Sequence, residues 1–148
     1  MAHMASRAGL VVDVFGGAKT FAVKVRTLRD LHRSIGAGIR YRGFEAFLER
    51  YGMTAAEIAP VLDVPSRTLA RRKKEGKYHA DESDRLLRLG RIAALAEEVL
   101  GDSRKAASWL KRPNRAIANE TPLQQLDTDL GCRLVEDILL RVAHGIYS

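Results

Sequence analysis

Residues 54–77 read TAAEIAPVLDVPSRTLARRKKEGK, and this stretch decides the fold. Its first part carries apolar residues at helical spacing. A three-residue break, Asp63-Val64-Pro65, separates it from a second segment that opens on Ser66 and is rich in Lys and Arg. Two short helices joined by a few turn residues, the second strongly basic, are typical of a helix-turn-helix that reads DNA.

The charge of the chain is unevenly distributed along its length. The 148 residues carry a formal net charge of +7 at neutral pH. Residues 1–77 hold 15 Lys and Arg against 7 Asp and Glu, whereas residues 78–148 hold 10 against 11. A basic half followed by a near-neutral half predicts that a polyanion binds the first part and that the second part has another partner.

The basic segment, from about Ser66 to Glu75, is the predicted recognition helix. Leu69 is its one large apolar residue, so the helix is expected to dock along a narrow stripe and expose most of its surface. Its first residues would enter the major groove, and basic side chains one turn later would reach base edges or phosphates. The predicted DNA-binding residues are Ser66, Arg67, Thr68, Arg71, Arg72 and Lys74. A solvated basic face is the alternative interpretation, and RNA is disfavoured because no aromatic platform accompanies the basic residues.

Helical patterns on both sides of this motif predict an all-α fold. Thr54 and Glu57 have the spacing of a capping box, Gly52 and Gly101 are typical of helix ends, and Asp102 is typical of a helix start. In the first half, the predicted helices run from Thr27 to about Gly36, over 43–51, from Thr54 onward and over 66–75. In the second half, a long helix is predicted over 82–100 with Asp81 as its N-cap, followed by a helix from Asp102 to Leu110. A short helix is predicted after Thr121-Pro122, and the last helix from Asp127 or Thr128 to Gly145. The last helix is expected to turn Leu130, Leu134, Val135, Ile138, Leu139 and Val142 inward.

The first 26 residues are expected to form an N-terminal arm. The opening MAHMAS is typical of a cloning remnant, so His3 is not considered as a ligand. Residues 7–26 hold a β-branched cluster and a Gly16-Gly17 turn. These features fit a short extended arm, a hairpin or a mobile segment.

The sequence contains no recognisable catalytic or metal-binding motif. HExxH, GxGxxG, P-loop and GxSxG patterns are absent, and the adjacent pairs Glu97-Glu98 and Glu136-Asp137 would point in different directions on a helix. Cys132 is the only cysteine, which excludes an internal disulfide. We therefore expect a protein that is not an enzyme and has no cofactor or metal. The lack of an apolar run of membrane length and of a secretion signal predicts a cytoplasmic location.

Motifs in the second half of the chain resemble a known family. Segment 106–145 contains W-L-x-x-P-N, then T-P-L-x-x-L-D-T, then a helix ending in R-V-x-x-G. This order resembles the toxin-binding domain of Xre/MbcA/ParS-type antitoxins, and the preceding SRTLARRKKEG and ADESDRLLRLGRI resemble that family's Xre-like helix-turn-helix and connecting helix. The resemblance covers about residues 27–148. One departure is the loop NRAIANETP, where members often have Gly-rich residues, so we expect Asn119 to adopt the left-handed turn.

The resemblance implies an antitoxin of a type II toxin–antitoxin pair. Such proteins form homodimers, bind their operator double-stranded DNA through the helix-turn-helix, and neutralise a RES-domain toxin that attacks NAD. The implied organisation is an N-terminal arm over 1–26, a helix-turn-helix domain over 27–81 and, joined by a long helix, a toxin-binding domain over 82–148. The expected toxin-binding residues are Trp109, Asn114, Arg115, Asp129, Glu136, Gly145, Tyr147 and Ser148.

Electrostatics suggest how such a toxin would be recognised. A pocket for an anionic dinucleotide is expected to be basic, so acidic residues of the last helix, or the carboxylate after Tyr147-Ser148, would compete for it. Two other interpretations stay open. In the first, the chain is a plain DNA-binding regulator whose C-terminal half dimerises or senses a ligand. In the second, it is an interaction protein whose basic face is incidental. For Trp109 alone, packing in a small helical core is the competing interpretation.

Overall fold

The computed structural model describes residues 7–145, in which eight α-helices and three short 3₁₀ helices follow one another. The α-helices are α1 (Arg7–Val14), α2 (Leu28–Ala37), α3 (Tyr41–Tyr51), α4 (Ala55–Leu62), α5 (Ser66–Glu75), α6 (Ala80–Leu100), α7 (Ser103–Leu110) and α8 (Asp129–Ala143). The 3₁₀ helices are η1 (Ala18–Thr20), η2 (Arg115–Ile117) and η3 (Leu123–Asp127). Extended backbone within residues 7–145 pairs only in two isolated bridges, and the predicted all-α class is confirmed.

A helix replaces the predicted arm at the start of the described chain. α1 is followed by Phe15, which is fully buried and stacks on the ring of Phe47 at 5.6 Å between centroids. The Phe15 ring lies so close to α6 that a Cβ added to Gly90 would be 2.4 Å from it. The expectation of an extended arm or hairpin is therefore wrong for residues 7–14. Burial of the valines of α1 against α6 outweighs their preference for strands.

The predicted capping residues begin and end the helices as expected. Thr54 accepts a hydrogen bond from the Glu57 N–H, and the Glu57 carboxylate accepts the Thr54 N–H at 2.9 Å. Asp102 accepts the Lys105 N–H at 2.8 Å and starts α7. The boundaries of α4 and α7 therefore follow from local hydrogen bonding.

The long helix α6 connects the two halves of the chain. It packs against α1, α2, α4, α7 and α8, and the buried side chains of both halves form one continuous core. Its N-cap is His79 rather than the predicted Asp81, because the His79 N–H donates to Glu82 Oε1 at 2.8 Å. The helix thus begins two residues earlier than the sequence pattern predicts.

The last helix begins at a tight corner after η3. Thr128, one of the two predicted caps, accepts the Gly131 N–H at 2.9 Å. In the preceding loop Asn119 has the expected left-handed backbone, with φ of 64°, and Ala118 shares it. No helix within residues 7–145 is both long and apolar enough to cross a membrane.

Only part of the apolar surface of α8 faces the core. Val135 and Leu139 are fully buried, and so is most of Cys132, whose thiol pKa is raised by burial. Leu130 and Leu134 are instead 70% and 46% exposed. The expectation that both face inward is wrong, because they lie on the side of α8 away from the packed residues.

Candidate DNA-binding and toxin-binding surfaces

The turn between α4 and α5 has the form that the sequence predicts. Asp63 ends α4 in the left-handed conformation, with φ of 55°, which Asp tolerates better than most residues. Val64 is buried, and Pro65 directly precedes α5 with an extended backbone. Leu69 is buried as well, so Val64 and Leu69 dock the turn and α5 onto the core. The opposite side of α5 is left open to a partner.

A basic stripe occupies that open side of α5. Arg67, Arg71 and Lys74 are exposed, and their spacing of four and three residues places them on one side of the helix. Ser66 is also exposed at the first position, while Thr68 is half-buried. The structure therefore brings three of the six predicted DNA-binding residues onto one side of α5, with Ser66 exposed at the start of the helix.

Arg72 is the exception among the predicted DNA-binding residues. Its side chain is 7% exposed and donates from Nε and Nη2 to the two carboxylate oxygens of Glu82, at 2.7 and 2.9 Å. A third bond runs from Nη1 to Glu75 at 3.2 Å. The expectation that Arg72 contacts DNA is wrong in this structure, because it lies on the Leu69 side of α5 and ties that helix to α6.

The Arg72–Glu82 pair also controls the ionisation of a buried carboxylate. Burial opposes ionisation of Glu82, but hydrogen bonds from Arg72 and from the His79 N–H hold its pKa below the ordinary value of 4.5. The pKa of Arg72 is raised by its bond to Glu82. Both groups are therefore charged at neutral pH, and they orient α5 relative to α6.

We expect the stability of the fold to fall on acidification because of Glu82. Since the pKa of Glu82 is lower in the folded than in the unfolded state, its contribution is full above pH 4.5 and is lost as the pH falls below that value. Glu82→Gln should reduce the free energy of unfolding at pH 7 by about 2 kcal/mol. It should also flatten the dependence of this free energy on pH below 4.5, measured by chemical denaturation.

The matched control for this prediction is Glu49→Gln. Glu49 is exposed and has no ion-pair partner within 4 Å in the described part of the chain. The control should leave the pH profile unchanged. A Glu82→Gln profile identical to that of the unmodified chain would show that the buried pair does not stabilise the fold.

Trp109 lies in a basic groove on α7. It is half-buried and packs against the core, so part of the ring has the structural role that was the competing interpretation of Trp109. The remainder faces an open groove of about 430 Å³. The groove is lined by Leu100, Arg104, Lys105, Ser108, Trp109 and Arg112. Arg104, Lys105 and Arg112 were not predicted as site residues. Their positions on and just after a helix with a clear N-cap could have indicated that they lie near one another.

Asn114 and Arg115 lie in the loop after α7. Asn114 Oδ1 accepts the Ala116 N–H at 2.9 Å, and its own N–H donates to the Glu120 carbonyl at 2.9 Å, which closes the loop. Arg115 is exposed at the start of η2. In this structure Asn114 shapes the loop, whereas Arg115 is free to contact a partner.

Asp129 and Glu136 lie on one side of α8, beside α6. Asp129 is 63% exposed and pairs with Arg133 at 3.2 Å, and Glu136 is half-buried. Both line a depression of about 190 Å³ between α6 and α8. Gly145 is exposed after the end of α8, and Tyr147 and Ser148 lie outside the described residues. The predicted toxin-binding residues therefore fall on two separate surfaces, around Trp109 and along α8.

Two family models match this chain, one over the helix-turn-helix and one over the C-terminal helices. The Antitoxin Xre-like helix-turn-helix domain matches residues 30–91, and the Antitoxin Xre/MbcA/ParS C-terminal toxin-binding domain matches residues 95–145. Antitoxin Xre of Pseudomonas putida is 36% identical over 117 residues, which are 78% of this chain and 72% of that protein. The chain belongs to the Xre antitoxin family. The prediction from the sequence motifs is thereby confirmed.

Other relatives of this antitoxin extend the comparison. Antitoxin Xre of Yersinia enterocolitica is 34% identical over 95 residues, and that of Photorhabdus laumondii is 38% identical over 94. These matches cover 63% and 62% of this chain and 64% of each relative, so the chain spans slightly less than two thirds of their length.

A solved structure shares the fold of this antitoxin. It is the crystal structure of the M. tuberculosis MbcT–MbcA toxin–antitoxin complex, matched with a TM-score of 0.52 and 23% identity over 68% of this chain and 90% of that chain. At this identity the similarity concerns the fold alone.

Membership of the family confirms one further prediction. Xre antitoxins are regulators and toxin binders without enzymatic activity, so this antitoxin is not an enzyme. Within residues 7–145 no group of three or more His, Cys, Asp or Glu side chains is arranged to hold a metal ion.

The two family models meet inside α6, whereas the domain limits 27–81 and 82–148 remain a prediction.

Proposed function

We propose that this antitoxin neutralises a RES-domain, NAD-consuming toxin by direct binding and represses its own operon through α5. The observation that carries the proposal is that the two family models match different regions of the chain. An exposed basic stripe lies on the recognition helix, and a toxin-binding domain covers residues 95–145. One chain can therefore hold DNA and toxin at the same time.

The DNA half of the proposal rests on the chemistry of the α5 stripe. Arg67 and Arg71 carry planar guanidinium groups that suit bidentate contacts with guanine, and Lys74 suits a phosphate. Ser66 stands at the amino end of α5, where backbone N–H groups favour a phosphate. The net charge of +8 in residues 1–77 adds non-specific attraction to the same polyanion.

The toxin half of the proposal rests on the exposed carboxylates of α8. A toxin that binds NAD is expected to present a basic pocket, and Asp129 is available to enter it. The Asp129–Arg133 pair joins side chains that are 63% and 75% exposed, so it contributes little to stability. Asp129 also lies 4.0 Å from Arg88, so exchanging Arg133 for a cation of the toxin would leave this second contact in place.

The proposal includes a homodimer in the cytoplasm. Two copies related by a two-fold axis would present two recognition helices to half-sites about one turn of DNA apart. The operator is then expected to be a palindrome, which is what repression by a symmetric dimer requires.

Co-purification tests the proposal against that of a plain DNA-binding regulator. The tagged full-length chain is co-expressed with the product of the adjacent gene and is also tested for binding to its upstream DNA. The proposal predicts a stable complex and a gel shift from the same preparation. A gel shift without a complex leaves a plain regulator, and a complex without a gel shift leaves a neutralising partner whose basic face is incidental.

A further inference from the structure

The most exposed apolar residues of the described chain point to an interface. Within residues 7–145 the large hydrophobic side chains that are exposed are Leu28, Leu130 and Leu134, at 50%, 70% and 46%. Leu130 and Leu134 lie one turn apart on α8, and the half-buried Ile138 follows one turn later. Leu130, Leu134 and Ile138 form an apolar line along the helix, here named the α8 ridge.

The α8 ridge is distinct from the acidic side of the same helix. Val135 and Leu139 define the buried side of α8, and Asp129 and Glu136 lie beside α6. Counted at 100° per residue, Leu130 and Leu134 project away from both. The ridge is therefore free when Asp129 and Glu136 are engaged by another partner.

Charged residues at the two ends of the ridge identify its occupant. Asp127 directly precedes the N-cap of α8, and Arg141 lies in the last turn. Both are exposed, and neither has an ion-pair partner within 4 Å among residues 7–145. The chain thus has an unpaired acidic residue just before the amino end of α8 and an unpaired basic residue in the last turn of this helix.

A second copy of this chain complements that arrangement. In an antiparallel pair of α8 helices with the two-fold axis at Leu134, Leu130 faces Ile138 of the second copy. Arg141 then lies at the same end of the pair as Asp127 of the second copy, because Arg141 is in the last turn of α8 and Asp127 comes just before its amino end. The antiparallel helix dipoles favour the same arrangement, whereas a parallel pair would place like charges together.

We propose that the α8 ridge is the homodimer interface, with Leu134 on the two-fold axis and Asp127–Arg141 pairs at both ends. This assignment rests on the homodimer of the proposed function. It places the contact between copies and the acidic toxin-facing side on opposite parts of one helix. Toxin binding and dimerisation are then compatible in a single assembly.

Leu134→Asp in the full-length chain tests the assignment. Sedimentation equilibrium should show a dimer for the unmodified chain and a rise in the dimer Kd of about 30-fold or more for the variant, the effect of losing a central apolar anchor. Leu28→Asp is the matched control, because it makes the same change at a leucine that is 50% exposed on α2. The control should stay dimeric, and both variants should keep the helical circular dichroism of the unmodified chain.

Charge reversal tests the register of the pair. Arg141→Glu and Asp127→Lys should each weaken the dimer by about fivefold, as expected for an exposed pair, and the double variant should restore it. Two results overturn the assignment. Leu134→Asp that remains a dimer, whether or not it still binds the toxin, moves the interface elsewhere and leaves the proposed homodimer intact. An unmodified chain that is monomeric at all concentrations removes both the interface and the proposed homodimer.

Discussion

Replacement of both Arg67 and Arg71 by Ala is expected to weaken binding to the operator strongly while leaving the fold unchanged. Each guanidinium that contacts a base or phosphate contributes about 1–3 kcal/mol, so the double variant should lose affinity by about 100-fold or more. The two side chains are exposed and lie opposite the buried Leu69, so their removal leaves no cavity. A gel shift or fluorescence titration on the upstream DNA, repeated at several salt concentrations, measures the effect.

The salt series separates specific contacts from general attraction. The slope of log K against log salt should become shallower in the double variant, because fewer counterions are released. Arg115→Ala is the matched control, since it removes an exposed arginine outside α5 and should bind DNA like the unmodified chain. A double variant that binds like the unmodified chain would show that α5 is not the recognition helix.

Gly131→Ala is expected to disrupt the corner between η3 and α8. A Cβ at this position would lie 1.7 Å from the carbonyl oxygen of Gln125 and 2.7 Å from its carbonyl carbon. Because the obstacle is backbone, relief requires η3 to move away from α8. We expect the free energy of unfolding to fall by about 3 kcal/mol, at the upper end for overpacked sites, in a denaturant titration.

Gly36→Ala provides the comparison within the same chain. Gly36 lies inside α2, and a Cβ there would have no neighbour within 4 Å. This variant should be neutral or more stable by up to about 1 kcal/mol, because Ala favours helix. Equal stability of the two variants would contradict the close packing of η3 on α8.

Local signals were enough to predict most of the helices from the sequence. Capping boxes and C-terminal glycines lie within a few residues of the boundaries they control, so α4, α5 and α7 begin and end as predicted. α1 was missed because its valines favour a strand in isolation and are helical only through packing on α6. The motifs in the second half of the chain likewise allowed the antitoxin family to be predicted from the sequence.

Site residues were harder to predict where they depend on packing between elements. Arg72 resembles its basic neighbours in sequence, and its burial follows from Glu82, which lies ten residues later on another helix. Leu130 and Leu134 share the apolar pattern of α8, yet the core reaches only the side marked by Val135 and Leu139. Periodicity indicates which residues share a face, but the neighbouring elements decide which face is covered.

The buried Arg72–Glu82 pair gives α5 a fixed position relative to α6. Because α6 also packs against α8, the recognition helix and the proposed dimer interface belong to one connected framework. The spacing of the two recognition helices in a homodimer would then be determined by α6 and α8. Under the proposed function, the spacing of the operator half-sites would then follow from the fold.

Rescue of growth tests the central claim most directly. The chain is co-expressed with the product of the adjacent gene, which the account proposes to be a RES-domain toxin, and both growth and cellular NAD are measured. The account predicts that growth and NAD return to the level of cells without toxin, and that the two proteins purify as a stable complex. Growth arrest and depleted NAD in the presence of the folded chain, which still shifts its own promoter DNA, would contradict it.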